Sequence, residues 1–205
     1  SDGSVNATFM CNYGGTVNYD GKVDSNFLGN ITLRYTNCEN ENDWVISGSV
    51  AVTVTALSEQ EIAYTVNFAG LNWTIEGQSV AIYGTQTHTE AETNTNYAVE
   101  TTQYLTFDMG EVSLRMDSQS DIAYSYDTGV VSFDLSGDLY FSDAGKVNLA
   151  YTSNDGLPPY SYEGLLTLVA DTTVTVQAED SNLLVNKDND NDGTMDTGTY
   201  LASWS

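Results

Sequence analysis

Ile31-Thr32-Leu33-Arg34-Tyr35-Thr36-Asn37 alternates bulky apolar side chains with polar ones, and the pattern returns 116 positions later as Val147-Asn148-Leu149-Ala150-Tyr151-Thr152-Ser153. A period of two puts Ile31, Leu33 and Tyr35 on one face of an extended chain and Thr32 and Arg34 on the other, the signature of a half-buried strand. The alternation continues outward through Val50, Val52 and Val54, through Ile62, Tyr64, Val66 and Phe68, and through Leu71, Trp73 and Ile75. It resumes at Leu105, Phe107 and Met109, at Val112, Leu114 and Met116, at Leu166 and Leu168, and at Val174 and Val176. No segment of helical length repeats apolar residues at i, i+3, i+4 and i+7. Turn signals at Asp20-Gly21, Glu76-Gly77, Ser136-Gly137 and Asn154-Asp155-Gly156-Leu157-Pro158-Pro159 predict short connections, which join antiparallel neighbours. The predicted fold is all-β, an antiparallel meander closed as a sandwich or barrel.

The repeat extends beyond those two strands. At the same offset Trp44 meets Tyr160, Ile46 meets Tyr162, Gly48 meets Gly164, Val50 meets Leu166 and Val52 meets Leu168, while Gly29 meets Gly145 and Gly21 meets Gly137. A second alignment, at an offset of 110, sets Tyr64, Val66, Asn72, Trp73 and Ile75 on Val174, Val176, Asn182, Leu183 and Val185. Such self-similarity predicts one domain over 1–205 made of two pseudo-repeats, about 5–83 and 121–205, joined by hairpins at about 84–120. Trp44 and Trp73 read as core-facing, because the second copy has Tyr160 and Leu183 there. Thr85 to Asn96 has scarcely an apolar atom to bury and reads as a mobile loop or the exposed tip of a long hairpin.

Cys11 falls opposite Asp127 and Cys38 opposite Asn154, so the second copy lacks both cysteines together. Paired absence predicts a Cys11–Cys38 disulfide, which by restricting the unfolded chain would stabilise the fold by roughly 3 to 4 kcal/mol. A disulfide in an acidic chain rich in Asn, Thr, Ser and Gly fits an oxidising compartment. The expected location is secreted, periplasmic or cell surface, and the expected source bacterial. No charged-then-apolar leader opens the chain, so Ser1 reads as the start of a processed protein. No run of about 18 apolar residues predicts a transmembrane helix.

With 29 acidic residues against 5 Lys plus Arg and a formal net charge of −24, the chain repels phosphate backbones and anionic lipid heads. Nucleic acid is excluded as a partner on that ground. What the sign favours is a cation, and one stretch concentrates the means to hold it. Asp188-Asn189-Asp190-Asn191-Asp192-Gly193-Thr194-Met195-Asp196 places Asp188, Asp190 and Asp192 at alternate positions, a glycine at the turn, the Thr194 carbonyl next and Asp196 last. Calcium takes six to eight oxygens in irregular geometry, so carboxylates converging on a curling loop suit it better than magnesium. The spacing follows the first nine positions of an EF-hand loop, but Thr199 stands where the bidentate Glu belongs. The nonapeptide instead resembles the Asp-x-Asp-x-Asp-Gly-x-x-Asp calcium loops of thrombospondin type 3 repeats and of secreted bacterial proteins. That resemblance covers residues 188–196 alone and implies calcium binding. Set against the Glu76-Gly77 turn, the loop reads as one hairpin enlarged to hold the last strand. Glu39, Glu41 and Asp43 form a second acidic cluster, read as a solvated loop.

Catalytic chemistry has a thin inventory. His88 is the one histidine and lies in the polar Thr85 to Asn96 stretch, which leaves a Ser-His-Asp arrangement or a histidine zinc site without support and His88 itself as a solvated surface residue. The expectation is a calcium-stabilised, non-catalytic β protein with a binding or cell-surface role, its partner a glycan or another surface protein. The competing expectation is a carbohydrate-binding module or carbohydrate-active enzyme that uses Trp or Tyr platforms beside carboxylates. Tyr200, Ala202 and Trp204 alternate as the last strand of an outer-membrane barrel would, but Thr, Asn and Asp occupy many positions where such a barrel faces lipid.

Overall fold

In a computed structural model, the structure describes residues 3–42, 44–142, 145–156, 164–179 and 182–201. The described residues form strands and turns with no helix. The strands are β1 (Gly3–Met10), β2 (Thr16–Val23), β3 (Gly29–Glu39), β4 (Val45–Leu57), β5 (Glu61–Ile75), β6 (Gln78–Glu92), β7 (Asn96–Asp108), β8 (Ser113–Ser125), β9 (Val130–Phe141), β10 (Gly145–Gly156), β11 (Gly164–Val169), β12 (Thr173–Glu179), β13 (Asn182–Asp188) and β14 (Thr197–Leu201). All belong to one sheet in which each strand bonds to the strands before and after it in sequence. The predicted antiparallel meander is therefore the observed topology. The ladder runs from β1 to β14 without returning, so among the described residues no seam closes it into a barrel.

Two expected turns prove to be strand. Asp20-Gly21 lies inside β2, where Gly21 pairs with Val5 on one side and Ile31 on the other, and Ser136-Gly137 lies inside β9. Both glycines are there for space. A Cβ on Gly21 would fall 2.1 Å from the Asn30 carbonyl oxygen, and one on Gly137 would fall 2.3 Å from that of Asp117. The chain turns after β2 at Asp24 instead, whose carboxylate accepts the N–H groups of Asn26 and Leu28 at 2.7 and 3.0 Å. Glu76-Gly77 is a turn as read, with both residues at positive φ, 50° and 81°, as a two-residue hairpin of the mirror-image type requires. Asn154, Asp155 and Gly156 extend β10, and Leu157 to Pro159 lie outside the described residues. Thr85 to Glu92 continues β6, so the polar stretch is the arm and tip of a long hairpin, closed by Thr93 N–H to the Asn96 carbonyl at 2.8 Å.

The strands gather into two compact units, Ser1–Thr89 with Thr102–Arg115, and Glu90–Thr101 with Met116–Ser205. In the first, Val50, Leu71 and Ile82 are buried and Tyr35, Ile46, Val52, Val66, Phe68, Val80 and Phe107 pack on them. The sequence phase of β5 slips from even at Val66 and Phe68 to odd at Leu71, yet all three reach one cluster. Gly70, at φ 78°, makes this possible by carrying an extra residue, and the β4–β5 register shifts between Ser47 and Val50. Without that bulge the second half of β5 would turn its apolar side chains to solvent.

In the second unit the repeat can be compared strand by strand. β3 and β10 begin at Gly29 and Gly145, as the offset of 116 places them. Leu33 faces Tyr19 and Val50, whereas Leu149 faces Gly137 and Leu168, two residues beyond the positions equivalent to Tyr19 and Val50. A slip of two keeps each side chain on its face, which is why the alternating pattern survives it. The second alignment does not meet the same layout. Tyr64 to Ile75 lie in the single strand β5, but Val176 and Val185 face each other across the β12–β13 hairpin. Phe68 and Leu71 give β5 an apolar reason to continue through Gly70, while Asp180 and Ser181, between β12 and β13, lie outside the described residues.

Candidate metal centre

β13 ends at Asp188 and β14 starts at Thr197, with Lys187 paired to Thr197, so the acidic loop is a hairpin connection. It is folded by its own carboxylates. Asp188 accepts the Asp190 N–H at Oδ1 (3.3 Å) and the Gly193 N–H at Oδ2 (2.9 Å). Asp190 accepts from the Asp192 N–H at 3.3 Å, and Asp192 from the Thr194 N–H at 2.7 Å. Asp196 closes the loop, its Oδ2 accepting from the Asn189 N–H at 2.8 Å and its own N–H donating to the Lys187 carbonyl at 2.9 Å. Asn191 at φ 58° and Gly193 at φ 89° supply the left-handed steps of the curl. The alternate-residue spacing is the local cause, because an Asp side chain readily accepts from the N–H two residues on.

The result brings one carboxylate oxygen from each of Asp188, Asp190 and Asp196 within 4.8 Å of one another. Asp188 is 2% exposed. Burial pushes its carboxyl pKa up, but N–H groups from Gly193, Asn191, Asp190 and Asp192 outweigh that and hold it below the ordinary aspartate value of 3.8. The group is thus kept ionised where it is least hydrated. Asp192, expected as a ligand, stands outside that convergence and is turned to the Thr194 N–H; Thr194 is exposed at the outer bend.

Residues the sequence reading did not single out fix the loop to its surroundings. Asn191 donates from Nδ2 to the Ala170 carbonyl at 3.2 Å and accepts at Oδ1 from the Thr173 hydroxyl at 2.6 Å. The β11–β12 turn is thereby joined to the loop. The signal was present in register, since Thr173 is the ladder partner of Asp188, but nothing in a one-dimensional pattern announces it.

Cys11 and Cys38 form the expected disulfide, with Cα atoms 5.5 Å apart, tying the end of β1 to β3 across β2. Glu39 and Glu41 are exposed, and Asp43 lies outside the described residues. Trp44 and Trp73 are not core residues as expected; each is 40% exposed. Trp73 is the ladder partner of Ile46, which packs at the edge of the cluster around Leu71, but Trp73 itself is not among the residues that cluster covers. His88 is also not a free surface residue. Its ring stacks on Tyr64 at 4.9 Å. Trp204 lies outside the described residues.

Polar pairs recur through the second unit. The Tyr97 hydroxyl donates to Glu90 at 3.1 Å and that of Tyr126 to Glu92 at 2.7 Å. Both hydroxyls have raised pKa values, Tyr97 through burial first and then Glu90, Tyr126 through its bond to Glu92 first. Asp138 receives Lys146 at 2.9 Å, the Tyr140 hydroxyl at 3.1 Å and the Asn148 amide. Its carboxyl is held below the ordinary range chiefly by the Lys146 ammonium. No protein family, curated protein or solved structure matches the chain.

Proposed function

We propose that the chain is a calcium-stabilised, non-catalytic β protein exported by a bacterium, with a binding role outside the cytoplasm. The observation that carries the calcium assignment is the convergence of Asp188, Asp190 and Asp196 on a space 4.8 Å across, with the Asp188 carboxylate buried and ionised. Three like charges this close repel one another, and a hard divalent cation turns that repulsion into attraction. Backbone donors occupy some of the oxygen lone pairs, and each carboxylate retains others for an ion. Asp188, Asp190 and Asp196 would hold calcium, with Asp192 and the Thr194 carbonyl joining if the outer bend closes over it.

The ion's role is structural. The loop connects β13 to β14 and, through Asn191, reaches the β11–β12 turn, so bound calcium would fix four strands at once. The disulfide agrees with an oxidising compartment, and no described helix is long and apolar enough to cross a membrane. Calorimetric titration of the decalcified protein tests the assignment. Wild type should bind one calcium with a heat that disappears in Asp188→Asn and in Asp196→Asn; equal heats in all three would refute it.

A further inference from the structure

We propose that the open groove over the Cys11–Cys38 bridge is a binding site for a Lys- or Arg-bearing segment of another protein. The open groove spans about 540 Å³ and is lined by Met10 at the end of β1, Asn12 and Tyr13 in the β1–β2 connection, Val17 in β2, and Glu39, Asn40 and Glu41 at and just after the end of β3, with the disulfide between them. That volume lies within the range of sites that take a side chain together with neighbouring backbone, and far exceeds what a metal ion fills. Glu39 and Glu41 also form no metal-holding group with the other described residues.

The chemistry of the lining selects the occupant. Its two charged members are carboxylates, no Lys or Arg lines it, and the chain around it carries −24. Anionic ligands are repelled, and approaching cations are drawn in. Apolar surface is unusually open here, with Met10 76% and Tyr13 59% exposed. A tyrosine face attracts an ammonium or guanidinium group, and the Met10 thioether can cover the methylene stem that carries it. Asn12 adds an amide able to meet peptide backbone.

The groove is also preorganised. The bridge holds the β1–β2 connection against β3, the Cys11 N–H donates to the Gly15 carbonyl at 3.2 Å, and the Glu39 N–H donates to the Gly14 carbonyl at 3.0 Å. Glu39 lies across that connection, since a Cβ on Gly14 would stand 3.1 Å from its Oε2. Little ordering of the backbone on either side of the bridge remains for binding to impose.

Fluorescence polarisation with a labelled Arg-Gly repeat peptide tests the site on the full, oxidised chain, beside a peptide with citrulline in place of arginine and a neutral oligosaccharide. The Arg peptide alone should bind, more weakly as salt rises. Glu39→Gln/Glu41→Gln should weaken it about tenfold, the scale of one charge-assisted contact. Glu59→Gln/Glu61→Gln, which removes the same charge elsewhere, should leave it unchanged, with far-ultraviolet circular dichroism confirming the fold of both variants. The proposal is overturned if no peptide binds, if citrulline binds as well as arginine, if both double variants weaken binding equally, or if only the oligosaccharide binds.

Discussion

The most buried apolar side chains, Val17, Val50, Leu71, Ile82 and Leu105, all belong to the first unit, whereas the buried residues described in the second are Ser118 and Asp188. One unit is secured by apolar contact and a covalent bridge, which salt and metal leave alone. The other relies on groups that titrate or attract ions: carboxylates on tyrosine hydroxyls, Lys146 on Asp138, and an acidic loop around a buried aspartate. The difference teaches where an ion would have most to add, at the acidic loop of the second unit. A unit whose described buried residues are polar gains more from an ion than one already clamped by an apolar core.

Removing the bridge should be the largest single loss. Cys11→Ala/Cys38→Ala should lower unfolding free energy by roughly 3 to 4 kcal/mol in urea denaturation, acting through the unfolded chain. The native protein should gain two protons in mass on reduction, and two free thiols without reductant would contradict the pairing. Chelation comes next. At calcium a hundredfold above its dissociation constant the bound ion contributes about 2.7 kcal/mol, so excess chelator should lower the melting temperature by that equivalent and leave Asp188→Asn unmoved. Leu71→Ala should cost about 2 kcal/mol, the low end for a core leucine, because partly exposed neighbours can relax into the gap. Its loss should be the same with and without calcium.

Acid should act on the second unit by a smaller, graded amount. The folded-state pKa of Asp188 lies below the ordinary 3.8, so its stabilisation is complete above about pH 5 and is lost as pH falls through 3.8 and beneath it. Asp138 follows the same sign through Lys146. Melting temperature should therefore decline gradually below about pH 4 in wild type and less so in Asp188→Asn; parallel curves would break the link.

Much of the fold is legible in the sequence because a half-buried strand must alternate. Ile31-Leu33-Tyr35 and Val147-Leu149-Tyr151 are strand by that rule alone, and the pairing of Cys11 with Cys38 is readable from the absence of cysteine at both positions 116 residues on. What the pattern hides is anything that preserves alternation. A register slip of two between the segments leaves every face unchanged, and Gly21 and Gly137 resemble turns although they admit a neighbouring carbonyl. The exposure of Trp44 and Trp73 was invisible for the same reason, since phase says which face a residue takes and not whether anything covers it. At the candidate site, Asp188, Asp190 and Asp196 are readable from spacing. Asn191 and its hold on Ala170 and Thr173 are not, because they depend on which hairpin lies next to the loop.

Amide hydrogen exchange, followed residue by residue with calcium and with chelator, bears most directly on the claim that an ion staples the second unit. Calcium should slow exchange at Lys187 to Asp196 and across β13 and β14, while β4 and β5 stay unchanged. Equal protection of β13 and β14 in both conditions would contradict it.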